Sequence, residues 1–147
     1  MTFNRSEIKW SAVIVGVVIA FVIAYGSSIG VVTGYATYLS IQARGAPDVV
    51  MINNFAAQTA PGITSFFIGI GVLVGSLRAG RKAQAAPFQN GLIVGLAAAF
   101  IELAMSLFGG VSVWAVVSVI LALGGGWLGG KISTRGAHRY VPQNASS

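Results

Sequence analysis

The sequence predicts an all-α integral membrane bundle of four transmembrane helices, arranged as two antiparallel hairpins with the N- and C-termini in the cytoplasm. Of its 147 residues, 55% are hydrophobic and only 8% are charged, whereas a soluble domain has about 25% charged residues. Four apolar runs approach or reach the roughly 20 residues that cross a hydrocarbon core. Basic residues cluster at the ends of these runs. Together these observations predict a membrane protein rather than a soluble one.

The first predicted span is the longest apolar run of the chain. It begins near Trp10 and can continue as a helix to Ser40, which at about 1.5 Å per residue exceeds a hydrocarbon core of about 30 Å. We therefore expect an uncleaved helix that is tilted or projects beyond the outer surface. Tyr35 and Tyr38 fit an aromatic belt at the outer interface.

The remaining chain is predicted to contain one sizeable connection. This outer loop, residues 41–62, is bounded by Pro47 and Pro61, and two interpretations stay open: a short helix opened by Asp48, or an irregular connector. The stretch "GGVS" predicts a tight outer turn after the third span. We expect a single membrane domain, residues 1–147, with spans at about 11–34, 63–79, 91–108 and 113–130 and a cytoplasmic tail at 131–147.

Basic residues set the predicted orientation. Lys and Arg outnumber Asp and Glu by 9 to 3, for a formal charge of +6. In a soluble protein this would indicate nucleic-acid binding, but here the charges flank the spans, as the cytoplasmic bias of membrane proteins requires. We expect a multi-pass protein of the cell inner (cytoplasmic) membrane that contacts anionic lipid headgroups and no nucleic acid. The flanking residues are Arg5 and Lys9 before the first span, Arg78, Arg81 and Lys82 after the second, and Lys131, Arg135 and Arg139 after the fourth.

Small residues recur four positions apart in every predicted span, and residues at that spacing share one face of a helix. Helices in membranes associate by close approach at such faces. The faces either serve only to close the four-helix bundle or also contact a membrane-protein partner or a second copy of the chain. The predicted packing residues are Gly26, Gly30 and Gly34 in the first span, Gly71 and Gly75 in the second, Gly91 and Gly95 in the third, and Gly126 and Gly130 in the fourth.

Three motifs resemble those of a known family. The second span ends in "GSLRAGRKA", the third opens with "NGLIVGL" and the fourth ends in "GGGWLGGK". With the four-span layout, these stretches resemble the small, uncharacterised bacterial membrane proteins called YrzE-like, over roughly Trp10 to Lys131. The resemblance implies a fold and no activity. This chain departs from that family in its longer outer loop, Ile41 to Gly62.

Glu102 is the only acidic residue inside a predicted span. Counted from Gly91, it lies about 16 Å along the helix, near the bilayer midplane, where an ionised carboxylate is costly. We expect it to be protonated and to donate a hydrogen bond to a backbone carbonyl or to a hydroxyl such as that of Tyr25, Ser27, Ser28 or Ser118. Two other roles stay open: a proton relay in transport, or contact with a neighbouring subunit or a bound cofactor.

The sequence predicts no catalytic residue, no cofactor and no metal site. It contains no cysteine, and its only histidine, His138, is in the tail, so neither thiol chemistry nor a histidine-bound haem is expected. Glu102 and Asp48 are predicted to lie too far apart to share a metal ion. No base is predicted within reach of a serine or threonine. We therefore expect a protein that is not an enzyme.

Two functional hypotheses follow from these features. The first is a non-enzymatic structural or accessory subunit that packs against other membrane helices through its small-residue faces and its outer loop. The second is a small oligomeric proton-coupled transporter or channel that uses Glu102. A polar, water-accessible cavity reaching Glu102 would favour the transporter, whereas a dry, glycine-lined contact would favour the accessory subunit.

Overall fold

The computed structural model describes residues 7–83, 85–110 and 112–137, and within these ranges the protein consists of four helices without a strand. All four helices are long and apolar enough to cross a membrane, so the prediction of an all-α, multi-pass membrane protein is confirmed. Arg5, and the part of the predicted tail that holds His138 and Arg139, lie outside the described residues. The helices are α1 (Trp10–Ala43), α2 (Val49–Lys82), α3 (Pro87–Gly109) and α4 (Val113–Ala137).

The predicted outer loop, residues 41–62, is mostly helical, which corrects the sequence expectation. Only residues 44–48 connect α1 to α2. The Asp48 carboxylate caps α2, because its Oδ1 accepts hydrogen bonds from the backbone N–H groups of Val50 at 2.8 Å and Met51 at 3.3 Å. These bonds satisfy donors that the start of a helix otherwise leaves free. The helix opened by Asp48 is thus present, and it is far longer than predicted.

Pro61 lies inside α2 and does not end it. Proline lacks the N–H group that would bond to the carbonyl four residues earlier, but packing on both sides supports the helix. The Phe55 ring stacks on the Tyr35 ring of α1 with 4.0 Å between centroids, and Gly62 lies against the Trp114 ring of α4. Contacts with neighbouring helices let membrane helices tolerate proline. Composition alone does not reveal these contacts.

The first two helices project beyond the other two. Because α4 begins beside Gly62, residues 49–61 of α2 extend past it by about 20 Å at 1.5 Å per residue. Residues 30–43 of α1 accompany them, since Tyr35 lies opposite Phe55. We refer to residues 30–43 and 49–61 as the arm. This arm is compatible with the sequence expectation that the first span is tilted or projects beyond the outer surface.

Backbone contact at small residues holds α1 against α2. A Cβ atom added at Gly71 would lie 2.5 Å from the Ala20 carbonyl oxygen, and one added at Gly75 would overlap the carbonyl oxygen of Gly16. Residue numbers therefore rise along α1 as they fall along α2. Such close approach provides the van der Waals contact that holds membrane helices together, because lipid is as apolar as the side chains and gives no hydrophobic driving force.

The same kind of contact joins α3 to α4. A Cβ atom at Gly91 would lie 2.5 Å from the Cα atom of Gly130, and one at Gly95 would lie 2.7 Å from that of Gly126. Helix α2 contacts each of the other three helices. The bundle is thus built around α2, with glycine at its closest helix crossings.

Asn90 ties the start of α1 to the start of α3. Its side chain is fully buried; Oδ1 accepts a hydrogen bond from the backbone N–H of Lys9 at 2.9 Å, and Nδ2 donates to the carbonyl of Ala86 at 2.9 Å and to that of Glu7 at 3.4 Å. Lys9 precedes α1 and has no capping side chain of its own. Asn90 therefore satisfies the backbone N–H of the residue that precedes α1 and fixes the start of α1 against α3.

Replacing Asn90 with leucine is expected to lower the free energy of unfolding by about 1–3 kcal/mol, because the Lys9 N–H loses its partner inside the protein. The measurement is equilibrium unfolding in mixed micelles of a mild detergent and sodium dodecyl sulfate. Asn53→Leu is the matched control, since Asn53 is exposed on α2. An equal loss in both variants would contradict a capping role for Asn90.

Candidate functional site

A cavity of about 460 Å³ lies between the four helices, next to the turn that joins α3 to α4. Each helix contributes a polar side chain to its wall: Ser28 from α1, Ser65 from α2, Glu102 from α3 and Ser118 from α4. These four side chains are all buried. The cavity therefore has a polar side chain from each helix in its wall, although most of its lining is apolar, and it is open to the surface of the bundle.

A layer of apolar residues closes the cavity on the side away from the α3–α4 turn. It lies one helical turn further into the bundle than the polar residues and also takes one residue from each helix. All four of its members have no exposed surface. They are Ala24, Ile68, Ala98 and Ala122, which we call the closing layer. The cavity thus opens toward the turn and ends at this layer.

Glu102 lies in the wall of the cavity and is 8% exposed. Its Oε1 atom is buried and has no hydrogen-bond partner among the described residues. The hydrogen bond that we expected at this carboxyl group is therefore not formed at Oε1. Leaving such an atom unpaired costs about 1–3 kcal/mol, and unpaired buried polar atoms are rare in folded proteins. Oε1 is therefore the atom of the cavity wall that most needs an account.

Glu102 also lies nearer one end of its helix than expected. Because α3 begins at Pro87 and ends at Gly109, Glu102 is about 22 Å from its start and about 10 Å from its end at 1.5 Å per residue. The expectation of a position near the midplane rested on a start at Gly91. This placement puts the carboxyl group within reach of the mouth of the cavity.

Two serines fix the wall opposite Glu102. The Ser118 hydroxyl donates a hydrogen bond to the Ser65 oxygen at 2.9 Å. The Ser65 hydroxyl has the carbonyl oxygens of Pro61 at 2.8 Å and Trp114 at 3.0 Å as acceptors. The bond to Trp114 joins α2 to α4 beside the proline, where the helix ladder is interrupted. This network fixes the side-chain positions of both serines.

The mouth of the cavity lies between the arm and the α3–α4 turn. Ala56 and Ala60 line it from the arm, and Gly110 and Ser112 line it from the turn. Small residues at these positions leave the opening wide. Tyr25 stands deeper in the wall, where its hydroxyl donates to the Met105 sulfur at 3.5 Å.

The structure divides the nine glycines that the sequence predicts as packing residues into two groups. Six lie at backbone contacts between helices: Gly71, Gly75, Gly91, Gly95, Gly126 and Gly130. The other three face open space, because a Cβ atom added to any of them would meet no atom within 4 Å. These three, Gly26, Gly30 and Gly34 of α1, form an unpartnered face.

Gly16 is the partner that the sequence analysis missed in α1. It follows the same four-residue spacing, since Gly16, Ala20, Ala24 and Ser28 are all buried on one face of α1. This series begins before the more conspicuous glycines at 26, 30 and 34 and uses alanine and serine, so a search for glycine alone overlooks it. The face of α1 that packs inside the bundle is therefore distinct from the glycine face.

The cavity residues Ser65, Thr64 and Trp114 were also missed. Their signal was a polar or amphipathic side chain in an apolar run, at a depth that matches Glu102 once the spans are aligned.

Among the described residues no group of three His, Cys, Asp or Glu side chains is placed to hold a metal ion. A second cavity, about 440 Å³, lies at the opposite end of the bundle between Ile19 and the basic residues Arg78, Arg81 and Lys82.

No protein-family model, no curated protein and no solved structure matches this chain. The resemblance to the YrzE-like proteins therefore stays a prediction. Function has to be argued from the cavity and its residues.

Proposed function

We propose that the protein is a small, oligomeric, proton-coupled transporter in which Glu102 carries the proton. One observation carries the proposal: a buried carboxyl oxygen that has no hydrogen-bond partner among the described residues lines an open cavity to which each helix of a membrane bundle contributes a polar side chain. Ionisable residues within spans are expensive and usually line substrate or ion pathways. A carboxyl group that only joined two helices would have its hydrogen bond satisfied within the bundle.

The geometry supports an alternating mechanism. The cavity is open toward the α3–α4 turn and closed on the other side by Ala24, Ile68, Ala98 and Ala122. Three of these closing residues are alanines, but Val72, Ser76 and Val94 continue the buried interior toward the basic end, so opening the other side requires the helices to shift along their whole glycine-lined contact. Backbone contact at glycines replaces part of the side-chain interlocking that would oppose such a shift. In this mechanism Glu102 exchanges its proton with one side at a time.

The proposal includes an orientation in the membrane. The two hairpins α1–α2 and α3–α4 are antiparallel, and both termini are cytoplasmic because Arg78, Arg81 and Lys82 lie at the end of the bundle opposite the cavity mouth. The cavity mouth and the arm then face the outside of an inner-type membrane. Anionic lipid headgroups contact the basic end. Transport of this kind requires no catalytic step.

Cysteine accessibility tests the proposal directly, because the chain has no cysteine of its own. Ser118→Cys places one thiol in the polar wall, and a membrane-impermeant thiol reagent is added to either side of sealed vesicles. The expected result is modification from both sides, since the cavity opens to each in turn. Leu96→Cys is the control, because Leu96 lies on the surface of α3 away from the cavity and meets lipid, where a thiol does not ionise.

Modification of the Ser118→Cys thiol from one side alone would contradict alternating access. Absence of modification from both sides would contradict a water-filled cavity altogether. Gel filtration of the variant in mild detergent shows that it retains its fold, so that lack of reaction is interpretable.

A second candidate function is the accessory subunit, and the unpartnered face of α1 favours it. Gly26, Gly30 and Gly34 let another helix approach the backbone closely. The partner is either another membrane protein or a second copy of this chain. Purification in a gentle detergent, followed by mass determination, distinguishes the two, because a stoichiometric foreign partner supports the accessory role and a homo-oligomer supports the transporter.

A further inference from the structure

The cavity around Glu102 offers hydrogen-bond acceptors to a ligand. Each serine hydroxyl has a single proton to donate. The Ser118 proton is used on the Ser65 oxygen, and the Ser65 proton is used on a backbone carbonyl. What these two side chains have left to present to a ligand is oxygen lone pairs.

The wall contributed by α1 and α3 has the same character. The Ser106 hydroxyl donates to the carbonyl of Leu103 at 2.7 Å, and the Tyr25 hydroxyl donates to the Met105 sulfur. Glu102 accepts hydrogen bonds when ionised, and its Oε1 has no donor among the described residues. The hydroxyl groups of Ser28, Thr64 and Ser112 also line the cavity and can donate. A ligand that contacts Glu102 together with Ser65 and Ser118 therefore brings N–H or O–H donors to that part of the wall.

The charge of the cavity selects a cation among such ligands. Among the residues that the structure describes, Glu102 is the only charged one in the wall. A carboxylate in a partly desolvated site pairs strongly with a hydrogen-bonding cation and poorly with a neutral molecule. Because a single carboxylate supplies one negative charge, the matching ligand carries one positive charge.

The volume and the other walls indicate an organic ligand. About 460 Å³ falls within the range of roughly 300–1,000 Å³ that holds small organic molecules and is far more than a bare metal ion fills. Trp114 and Tyr25 supply aromatic surface next to the carboxylate, and aromatic rings attract organic cations.

We infer that the cavity binds a small organic monocation with N–H donors, such as a primary ammonium, with its N–H groups directed at Glu102 and the serine oxygens. This inference rests on the proposed function, since it names the solute that is exchanged for the proton. A proton on Glu102 and the bound cation exclude each other, because the carboxylate balances one charge at a time. That exclusion is what couples the two fluxes.

Three probes that share a phenethyl group test the inference by titration calorimetry on the purified chain in lipid nanodiscs. Phenethylammonium has three N–H donors, its N,N,N-trimethyl analogue keeps the charge without donors, and 2-phenylethanol has no charge. The expected order is tightest binding for phenethylammonium, at least about tenfold weaker binding for the trimethyl analogue, and no measurable binding for the alcohol.

Glu102→Gln is expected to weaken phenethylammonium binding by about 10- to 100-fold, because a charge-assisted pair is lost at nearly constant volume. Phe100→Leu is the control on the same helix, since Phe100 is 73% exposed and away from the cavity, and its affinity stays unchanged. Thermal unfolding of both variants verifies that they are folded.

Equal affinity for the primary and the trimethylated ammonium would overturn the inference, as would unchanged affinity in Glu102→Gln. Heat from sodium chloride that depends on Glu102, without heat from the amine, would also overturn it in favour of a metal cation. If no amine binds while the Ser118→Cys thiol reacts from both sides, only the choice of solute is wrong. If the amine binds while the thiol reacts from one side, the site stands and the transport proposal falls.

Discussion

Gly75→Val is expected to leave little folded protein in detergent. A Cβ atom at position 75 overlaps the Gly16 carbonyl oxygen and lies 2.9 Å from the Gly16 carbonyl carbon. Both obstacles are backbone atoms of α1, so no side-chain rotation relieves the overlap. Relief requires α1 and α2 to separate, and the closely packed pair of Gly71 and Ala20 one turn away then separates as well.

The expected cost exceeds the roughly 1–3 kcal/mol of ordinary overpacking, because the valine also adds two methyl groups to a backbone contact. Domains are stable by only about 5–15 kcal/mol in total. The measurement is the folded fraction after purification, followed by thermal unfolding monitored by circular dichroism.

Gly30→Val is the matched control for this variant. Gly30 also lies inside a long helix in a series of glycines spaced four apart, but a Cβ atom there meets nothing within 4 Å. We expect Gly30→Val to fold normally. Equal destabilisation of the two variants would contradict the packing described for α1 and α2, and a Gly30→Val variant that folds but loses its oligomeric state would identify the unpartnered face as an interface.

Composition and hydrophobic run length were sufficient to predict four membrane helices, because the cost of placing polar groups in lipid leaves few alternatives. They were insufficient for the helix ends. The loop expected at residues 41–62 rested on Pro61 and on polar residues such as Asn53 and Asn54. Stacking of Phe55 on Tyr35 and the Asp48 cap outweigh those local signals, and these are contacts between helices or at a helix end.

Glu102 was identified from sequence as the residue to explain, since an acidic side chain in an apolar run is conspicuous. Its environment was not predictable in the same way. The expected hydrogen bond to a hydroxyl such as that of Ser118 is not formed at Oε1, and Ser118 donates to Ser65 instead. That pairing depends on how α2 and α4 pack, through contacts such as that between Gly69 and Leu121. Which hydroxyl groups pair in a helical bundle depends on how the helices pack, and that packing cannot be read from a single sequence.

The second large effect is expected for proton binding in the cavity. Tyr25 is the only other ionisable side chain in the wall, on α1; α2 and α4 contribute hydroxyl, indole and apolar side chains. Glu102→Gln is therefore expected to remove the only carboxyl group that takes up and releases a proton there. In a transporter this exchange is reversible, whereas in a purely structural role the carboxyl group keeps its proton at every pH at which the bundle is folded.

Infrared difference spectroscopy of the protein in lipid, recorded between acidic and alkaline pH, measures this exchange most directly, because a protonated carboxyl group has a carbonyl band that the carboxylate lacks. Subtracting the spectrum of Glu102→Gln removes the contributions of Glu7 and Asp48. The account predicts a Glu102 band that disappears reversibly as the pH is raised and that is absent from Glu102→Gln. A Glu102 band that persists unchanged across the whole pH range would contradict it and leave Glu102 as a structural residue.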